Sequence, residues 1–444
     1  MTAVTAPDFE IVVIGAGQAG LSVGYHLRRL GLTPGVDFVI VDHSPGPGGA
    51  WQFRWPSLTL STVNRVHDLP GMSFTETLPA GSDSVPAATA VPHYFELYEK
   101  RFDLRVRRPV SVRVVCDRAS TATCPGTMVD GLLHVETAIG ENLSAATGSV
   151  ALGGGADIPP SPARGGGTEA EPGGSMPSDA VTDPSSPDEP HTAADSRRST
   201  DAPTELPDPG GETLRVRGVI NATGTWEKPF IPYYPGAETF GGRQLHAHDY
   251  RSAAEFAGKH VVVVGAGISA VQLLDEISQV TSTTWVSRTE PRWREGPFGP
   301  DEGRRAVAMV EDRVRRGLPP RSVVSVTGLP VDDRIRAARA RGVLTWHPMF
   351  ARIEPEGVRW ADGSFRTADV ILWATGFRSA LDHLAPLRLR GPGGGITMTG
   401  QLATQVAADP RIHLIGYGPS ASTIGANRAG RAAAVELTRY LGLP

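Results

Sequence analysis

Cysteine is nearly absent from this 444-residue sequence: two occur, Cys116 and Cys124. Their spacing fits neither a CxxC redox pair nor a zinc site, so a disulfide scaffold is excluded. No run of eighteen or more apolar residues exists, which excludes a membrane-spanning helix of ordinary length. Eight mostly small residues precede the first apolar strand, with neither a basic region nor an extended apolar core, and a cytoplasmic protein without an anchor is expected. A formal charge of −4 gives no reason to expect a nucleic-acid partner.

Aromatic side chains are missing altogether from one segment. Between Gly140 and Glu212, 73 residues contain no Phe, Trp or Tyr, but 12 Gly, 11 Pro and 13 acids against 3 arginines. Such a stretch buries too little apolar surface to offset the entropy of ordering it, and its composition predicts a disordered insertion. It carries ten net negative charges, so the rest of the chain stands at +6. A mildly basic folded part suits phosphate-bearing ligands. The flanks, Leu132 to Thr137 and Thr213 to Val216, read as strands, which places the segment inside a hairpin. Two roles stay open for it: a surface loop with no function, or a tail that recruits a partner.

What is present outside the insertion alternates strands with helical patterns, the arrangement of parallel α/β sheets, over a length that calls for two domains. Two glycine-rich turns lie 250 residues apart. In the first, the apolar run Glu10 to Ile14 leads into Gly15-Ala16-Gly17-Gln18-Ala19-Gly20 and a helical pattern. Gly15 permits the tight turn, Gly17 lets the backbone approach a pyrophosphate, and Gly20 allows close helix–strand packing; the pyrophosphate rests on the helix N-terminus. A second strand, Phe38 to Val41, ends in Asp42, 22 residues after Gly20. A carboxylate there accepts hydrogen bonds from the ribose hydroxyls of an adenosine without a 2′-phosphate.

The second copy runs His260 to Val264, then Gly265-Ala266-Gly267-Ile268-Ser269-Ala270, with Ala270 as the accepted small variant at the third position. Its following strand, Thr283 to Val286, ends in Ser287-Arg288-Thr289 with no acid. Arg288 and the two hydroxyls suit a 2′-phosphate, so this site is read as preferring NADPH over NADH.

Between the two turns, Phe240 to Tyr250 fits FxGxxxHxxxY, with Phe240, Gly242, His246 and Tyr250 at the fixed positions. This resembles the signature of the class B flavin-dependent monooxygenases in its flavin-containing monooxygenase form. The related Baeyer–Villiger enzymes usually end it in Trp followed by Pro or Asp, where Tyr250 and Arg251 stand here. Gly48-Gly49-Ala50-Trp51 resembles the family's GGxW, which lies along the FAD. Asn221-Ala222-Thr223-Gly224 and Trp373-Ala374-Thr375-Gly376-Phe377 resemble the two ATG segments found where the chain crosses between domains. The resemblance thus adds Gly49, Trp51, Thr223, Gly224, Thr375 and Gly376 to the cofactor-binding candidates. Ile412 to Gly418 reads as the last strand of the FAD domain, with Tyr417 where many two-dinucleotide reductases carry an acid. Gly425-Ala426-Asn427 then opens a helix directed at the flavin.

The stretch Arg54 to Ser61 and Asp68 to Gly71 is similar to YUCCA-like members. Animal and yeast relatives place an active-site Asn shortly after a Ser-Leu pair. By spacing that position is nearer Ser61 than Asn64, and both are carried as catalytic candidates. Arg292, Trp293 and Arg294, with a loop from Glu295 to Gly303, are candidates for a lid.

The resemblance implies an α/β fold of two Rossmann-like dinucleotide-binding domains, FAD and NADP, the second inserted in the first. The FAD domain is expected at 1–139, 213–250 and 367–444, the insertion at 140–212 and the NADP domain at 251–366. It implies transfer of one oxygen atom, through a flavin hydroperoxide, from molecular oxygen to a small organic substrate of N-, S- or ketone type. Two alternatives stay open on the sequence. One is an NAD(P)H-dependent flavoprotein reductase serving a quinone, a metal or a partner. The other is a non-catalytic flavin-binding redox module that recruits a partner through its insertion. No metal site, nucleic-acid partner or membrane association is expected, and the oligomeric state is not readable.

Overall fold

Strands that read as unbroken apolar runs become the buried centres of two parallel sheets. The computed structural model describes residues 6–63, 66–79, 81–117, 131–140, 211–296, 300–321 and 328–444. The insertion expected at 140–212 lies, but for its end residues, outside the described residues, as do Asn64 and Cys124. Cys116 is buried.

In the first sheet, β1 (Phe9–Ile14) lies between β2 (Phe38–Val41) and β5 (Thr213–Asn221), and β18 (Ile412–Leu414) extends β5, all parallel. Both faces are covered, as the continuous apolar runs require. Ile11, Val13 and Ile40 face one core and Val12, Ile14 and Val39 the other. Helices α1 (Gln18–Arg29), α2 (Ala87–Arg101) and α6 (Thr423–Leu441) contribute to the first core. An antiparallel pair, β3 (Val110–Cys116) and β4 (Leu133–Ile139), covers the second, with β16 (Met398–Thr399) and β17 (Gln405–Val406). β4 pairs antiparallel with β5, Leu133 opposite Val216 and Glu136 opposite Thr213. The flanks of the insertion are therefore hairpin neighbours, as their sequence predicts.

The second sheet runs β11 (Trp346–Pro348), β8 (Thr283–Ser287), β7 (Val261–Val264), β15 (Val370–Trp373), β6 (Arg243–His246), parallel throughout. Helices α3 (Ile268–Ile277) and α5 (Asp333–Ala340) lie on one side. A small antiparallel sheet of β12 (Arg352–Glu354), β13 (Gly357–Arg359) and β14 (Phe365–Thr367) packs toward the other. Because β6 to β15 fall between β5 and β16 in the chain, the second Rossmann-like unit is inserted in the first. The lid candidate differs from expectation: Trp293–Arg294 (β9) pairs with Leu329–Pro330 (β10), and helix α4 (Pro300–Arg315) already begins inside the stretch read as loop. No helix among the described residues is long and apolar enough to cross a membrane.

Candidate functional site

The two glycine turns are built the same way. Ile14 pairs with Asn221 at the ends of β1 and β5, so Gly15 lies against the chain leaving β5. Its φ is +98°, and a Cβ added there would stand 2.7 Å from the carbonyl oxygen of Ala222. In the second unit Val264 pairs with Trp373, Gly265 has φ +149°, and a Cβ would stand 2.3 Å from the carbonyl oxygen of Ala374. Each ATG segment therefore backs its glycine turn, and only glycine fits between. Gly20 packs on the turn itself, where a Cβ would be 1.8 Å from the Gly15 oxygen. Ala270, at the matching position, has its methyl fully buried.

Gly17 and Gly267 behave in the opposite way. A Cβ on either would meet nothing within 4 Å. Each is the N-cap of its helix, α1 or α3, and neither helix start has a side-chain cap. By contrast Asp332 caps α5 and Ser422 caps α6. Uncapped N–H groups beside open space, at the positive end of a helix dipole, are what a diphosphate fits. Gln18 and Ile268 begin the two helices, followed by Ala19 and Ser269. Gln18 donates to Asn427 Oδ1 at 3.0 Å, which links the first turn to α6.

Asp42 is 5% exposed. Its Oδ2 accepts from Ala16 N at 2.6 Å and its Oδ1 from Ser44 N at 2.8 Å. The carboxylate thus pins the glycine turn to the end of β2, and one lone pair on each oxygen is left for a ribose hydroxyl. Gly49 lies against the same turn, since its Cβ would be 3.0 Å from Gly17 Cα, and Trp51 stands two residues on, half-buried. Behind Asp42, Arg108 makes two bonds of 2.7 and 2.8 Å to Glu99, with its Nε 3.7 Å from Asp42. Burial pushes the Glu99 carboxyl up despite that pairing.

The candidates for the second ribose position, Ser287, Arg288 and Thr289, differ in their exposure. Ser287 is buried; its hydroxyl donates to Thr289 O at 2.7 Å and accepts from Trp346 Nε1 at 2.8 Å. The proton of that hydroxyl is engaged within the protein, whereas Arg288 and Thr289 are exposed just past β8. Arg288 has no salt bridge among the described residues.

The signature segment is structural. Phe240 lies against Gly242, where a Cβ would fall 2.6 Å from the Phe240 ring and 2.4 Å from Asp369 O. His246 ends β6 with its ring 4.9 Å from that of Phe377. His248 N donates to its Nδ1 at 3.0 Å, so a neutral ring carries its proton on Nε2. Burial pulls its pKa down to about 4. Tyr250 stacks on Phe256 and meets Trp55 edge-on.

The two crossings pair with each other. Phe230 N donates to Gly376 O at 3.0 Å, Arg378 N to Lys228 O at 2.8 Å, and Ala380 N to Gly224 O at 3.0 Å. Thr223 donates to Ala380 O at 2.7 Å, Thr375 to Phe230 O, and Lys228 meets Asp382. The threonines of both ATG segments, named as cofactor candidates, are thus hydroxyl donors within this ribbon; Gly224 and Gly376 supply its carbonyls.

Residues 213–315 match the flavin-binding monooxygenase-like family, and residues 13–77 an NAD(P)-binding Rossmann-like domain. A flavin-containing monooxygenase from Stenotrophomonas maltophilia is 30% identical, with 98% of this chain and 99% of that one covered at a TM-score of 0.66. This chain belongs to the flavin-containing monooxygenases. The uncharacterized oxidoreductase CzcO of Bacillus subtilis is 22% identical over 84% of this chain and 82% of its own length. A trimethylamine monooxygenase from Pelagibacter ubique is 56% identical over 52 residues, 12% of each chain. In the first curated relatives matched, the shared stretch spans at most 26% of their length.

Membership makes FAD and NADPH the cofactors of this monooxygenase-family chain, and the open uncapped turns fit them. Of the catalytic candidates, Ser61 sits on an exposed turn with its hydroxyl 2.8 Å from that of Thr59 and its N–H on Asp83 O. Sequence reasoning passed over Ala222 and Ala374, whose repeated ATG context was the available signal, and Arg54, which gave none. Replacing Arg288 by Ala is expected to raise the KM for NADPH about 10- to 100-fold, the worth of a charge-assisted phosphate contact, and to leave that for NADH unchanged. Steady-state kinetics with both nicotinamides decide it; an unaltered NADPH/NADH preference removes Arg288 from the site.

Proposed function

We propose that this chain is an FAD- and NADPH-dependent monooxygenase that transfers one atom of molecular oxygen to a small organic substrate of N-, S- or ketone type, in the cytoplasm. The observation that carries this reading is the asymmetry of two similarly built turns: Asp42 at one ribose position, an exposed Arg288 at the other. One turn is suited to retain a dinucleotide without a 2′-phosphate, and the other to exchange one that bears it.

When bound, the flavin supplies hydride acceptance and oxygen activation. The chain's part is to bind, orient and keep water out. Gly17 and Gly267 hold the diphosphates at their helix starts, and Asp42 keeps the first turn closed on β2. Between the two units, Trp226 stacks on Phe377 at 5.2 Å and packs against His248 at 4.6 Å, an aromatic filling that excludes solvent from the seam. No group among the described residues could hold a metal ion.

The test is to purify the full chain, identify its flavin, and follow NADPH oxidation, product and hydrogen peroxide with a panel of amines, sulfides and ketones. At least one class should draw most of the electrons into an oxygenated product. Peroxide equal to NADPH consumed with every compound would replace this reading by the reductase.

A further inference from the structure

Among the described residues, Arg54 is a cation without a counter-ion. It follows Trp51 by three residues, and its guanidinium lies 4.3 Å from the ring centroid of Trp226 and 5.8 Å from that of Trp51. Among the described residues its Nε, sealed from solvent, has no hydrogen-bond partner and no anion acts on the group. Burial alone lowers its pKa to about 10, so the side chain is still charged at neutral pH. Other enclosed arginines in this chain are paired, Arg108 with Glu99 and Arg411 with Asp409. A buried, uncompensated charge destabilises the fold that holds it. The residue as a whole keeps a partial opening, so the missing anion has a way in.

Its place says which anion. Gly49, five residues earlier, lies against Gly17 in the first glycine turn. Trp226, which the guanidinium covers, comes two residues after Gly224 and carries Phe377 of the second crossing and His248, just past β6 of the second unit. Arg54 therefore stands at a seam, where the loop that touches the first glycine turn meets the crossing toward the second unit. An arginine that rests on an aromatic ring can still offer its N–H fork to a phosphate.

We propose that Arg54 is the anion-binding side chain of this seam and takes a phosphate oxygen of a dinucleotide diphosphate, brought by FAD or by NADPH. The inference rests on the reading that the chain holds both dinucleotides.

The test uses Arg54→Gln and Arg54→Lys in the FAD-loaded full chain. One arm measures FAD release on dilution from the recovery of flavin fluorescence. The other measures the Kd of NADP+ by difference absorbance of the bound flavin. In Arg54→Gln one of the two should weaken about 10- to 100-fold, with a smaller loss in Arg54→Lys, which keeps the charge without the fork. Faster FAD release assigns the contact to FAD; weaker NADP+ binding assigns it to NADPH. If Arg54→Gln does not accumulate, Arg54→Lys decides alone: weakening of one dinucleotide by about threefold or more supports the contact, because an ammonium cannot reproduce a bidentate fork. Affinities for both dinucleotides within about twofold of wild type overturn it. A wild-type chain that purifies without flavin would overturn the underlying reading instead, so the two failures are distinguishable.

Discussion

Replacing Gly265 by Ala is expected to leave a yellow protein that NADPH no longer reduces. The added methyl would stand 2.3 Å from the Ala374 carbonyl at a φ of +149°, so the turn or the β15 crossing must shift. Either movement pulls the N–H groups of α3 away from the diphosphate. A misfit of this kind should raise the KM for NADPH about 100-fold or more, close to 3 kcal/mol. The first unit is a separate turn in a separate sheet, so the flavin should stay bound and should still bleach with dithionite. The mirror change, Gly15→Ala, should do the reverse and yield a colourless chain. Flavin content and stopped-flow reduction by NADPH check both. Normal reduction kinetics in Gly265→Ala would mean that this turn does not hold the nicotinamide cofactor.

Mild acid is the second large effect. His246, His383 and His413 are enclosed, and burial pulls each pKa down to about 4 from an ordinary 6.5. The folded chain keeps these rings neutral where the unfolded chain protonates them, so unfolding takes up protons. Their contribution is complete above about pH 6.5 and is lost as the pH falls toward the folded value near 4. Each ring is worth roughly 3 kcal/mol across that window. Three together are on the order of 10 kcal/mol, comparable with the whole stability of a typical domain. His26, less enclosed, shifts in the same direction. Urea midpoints should be level from pH 7.5 to about 6.5 and drop steadily from there to pH 5. His383→Gln should flatten the slope by about one proton, since the amide can still donate to Asn221 Oδ1, which His383 Nε2 now meets at 2.7 Å. A profile flat down to pH 5 would show that these rings titrate normally.

Much of the frame was legible because it depends on local rules. Runs such as Val261 to Val264 have both faces buried and therefore carry no polar alternation, and each ends in a glycine that begins a helix. Asp42 was legible from its distance to Gly20, although its bonds to Ala16 and Ser44 were not. What escaped depends on partners distant in the chain. The Ser287 hydroxyl looks available until Trp346, 59 residues later, brings its indole N–H to it. The carbonyls of Ala222 and Ala374 belong to strands that meet β1 and β7 only in the folded sheets. Arg54 opens a stretch noted only for its resemblance to YUCCA-like members, and nothing nearby in sequence says that Trp226 will lie against it. The extent of the loop in the lid candidate escaped for a different reason: the loop reading past Arg294 ran through the start of α4, a helix that begins at a proline.

The ribbon formed by residues 224–230 and 376–380 has a mechanical consequence. A body tied to another by two cords can twist and slide if the cords are independent. Here three backbone hydrogen bonds lace the cords together along their length. The NADP unit is therefore held as a door is held by its pin: a swing costs a few torsions at the ribbon's ends, whereas a slide would have to unzip the lacing.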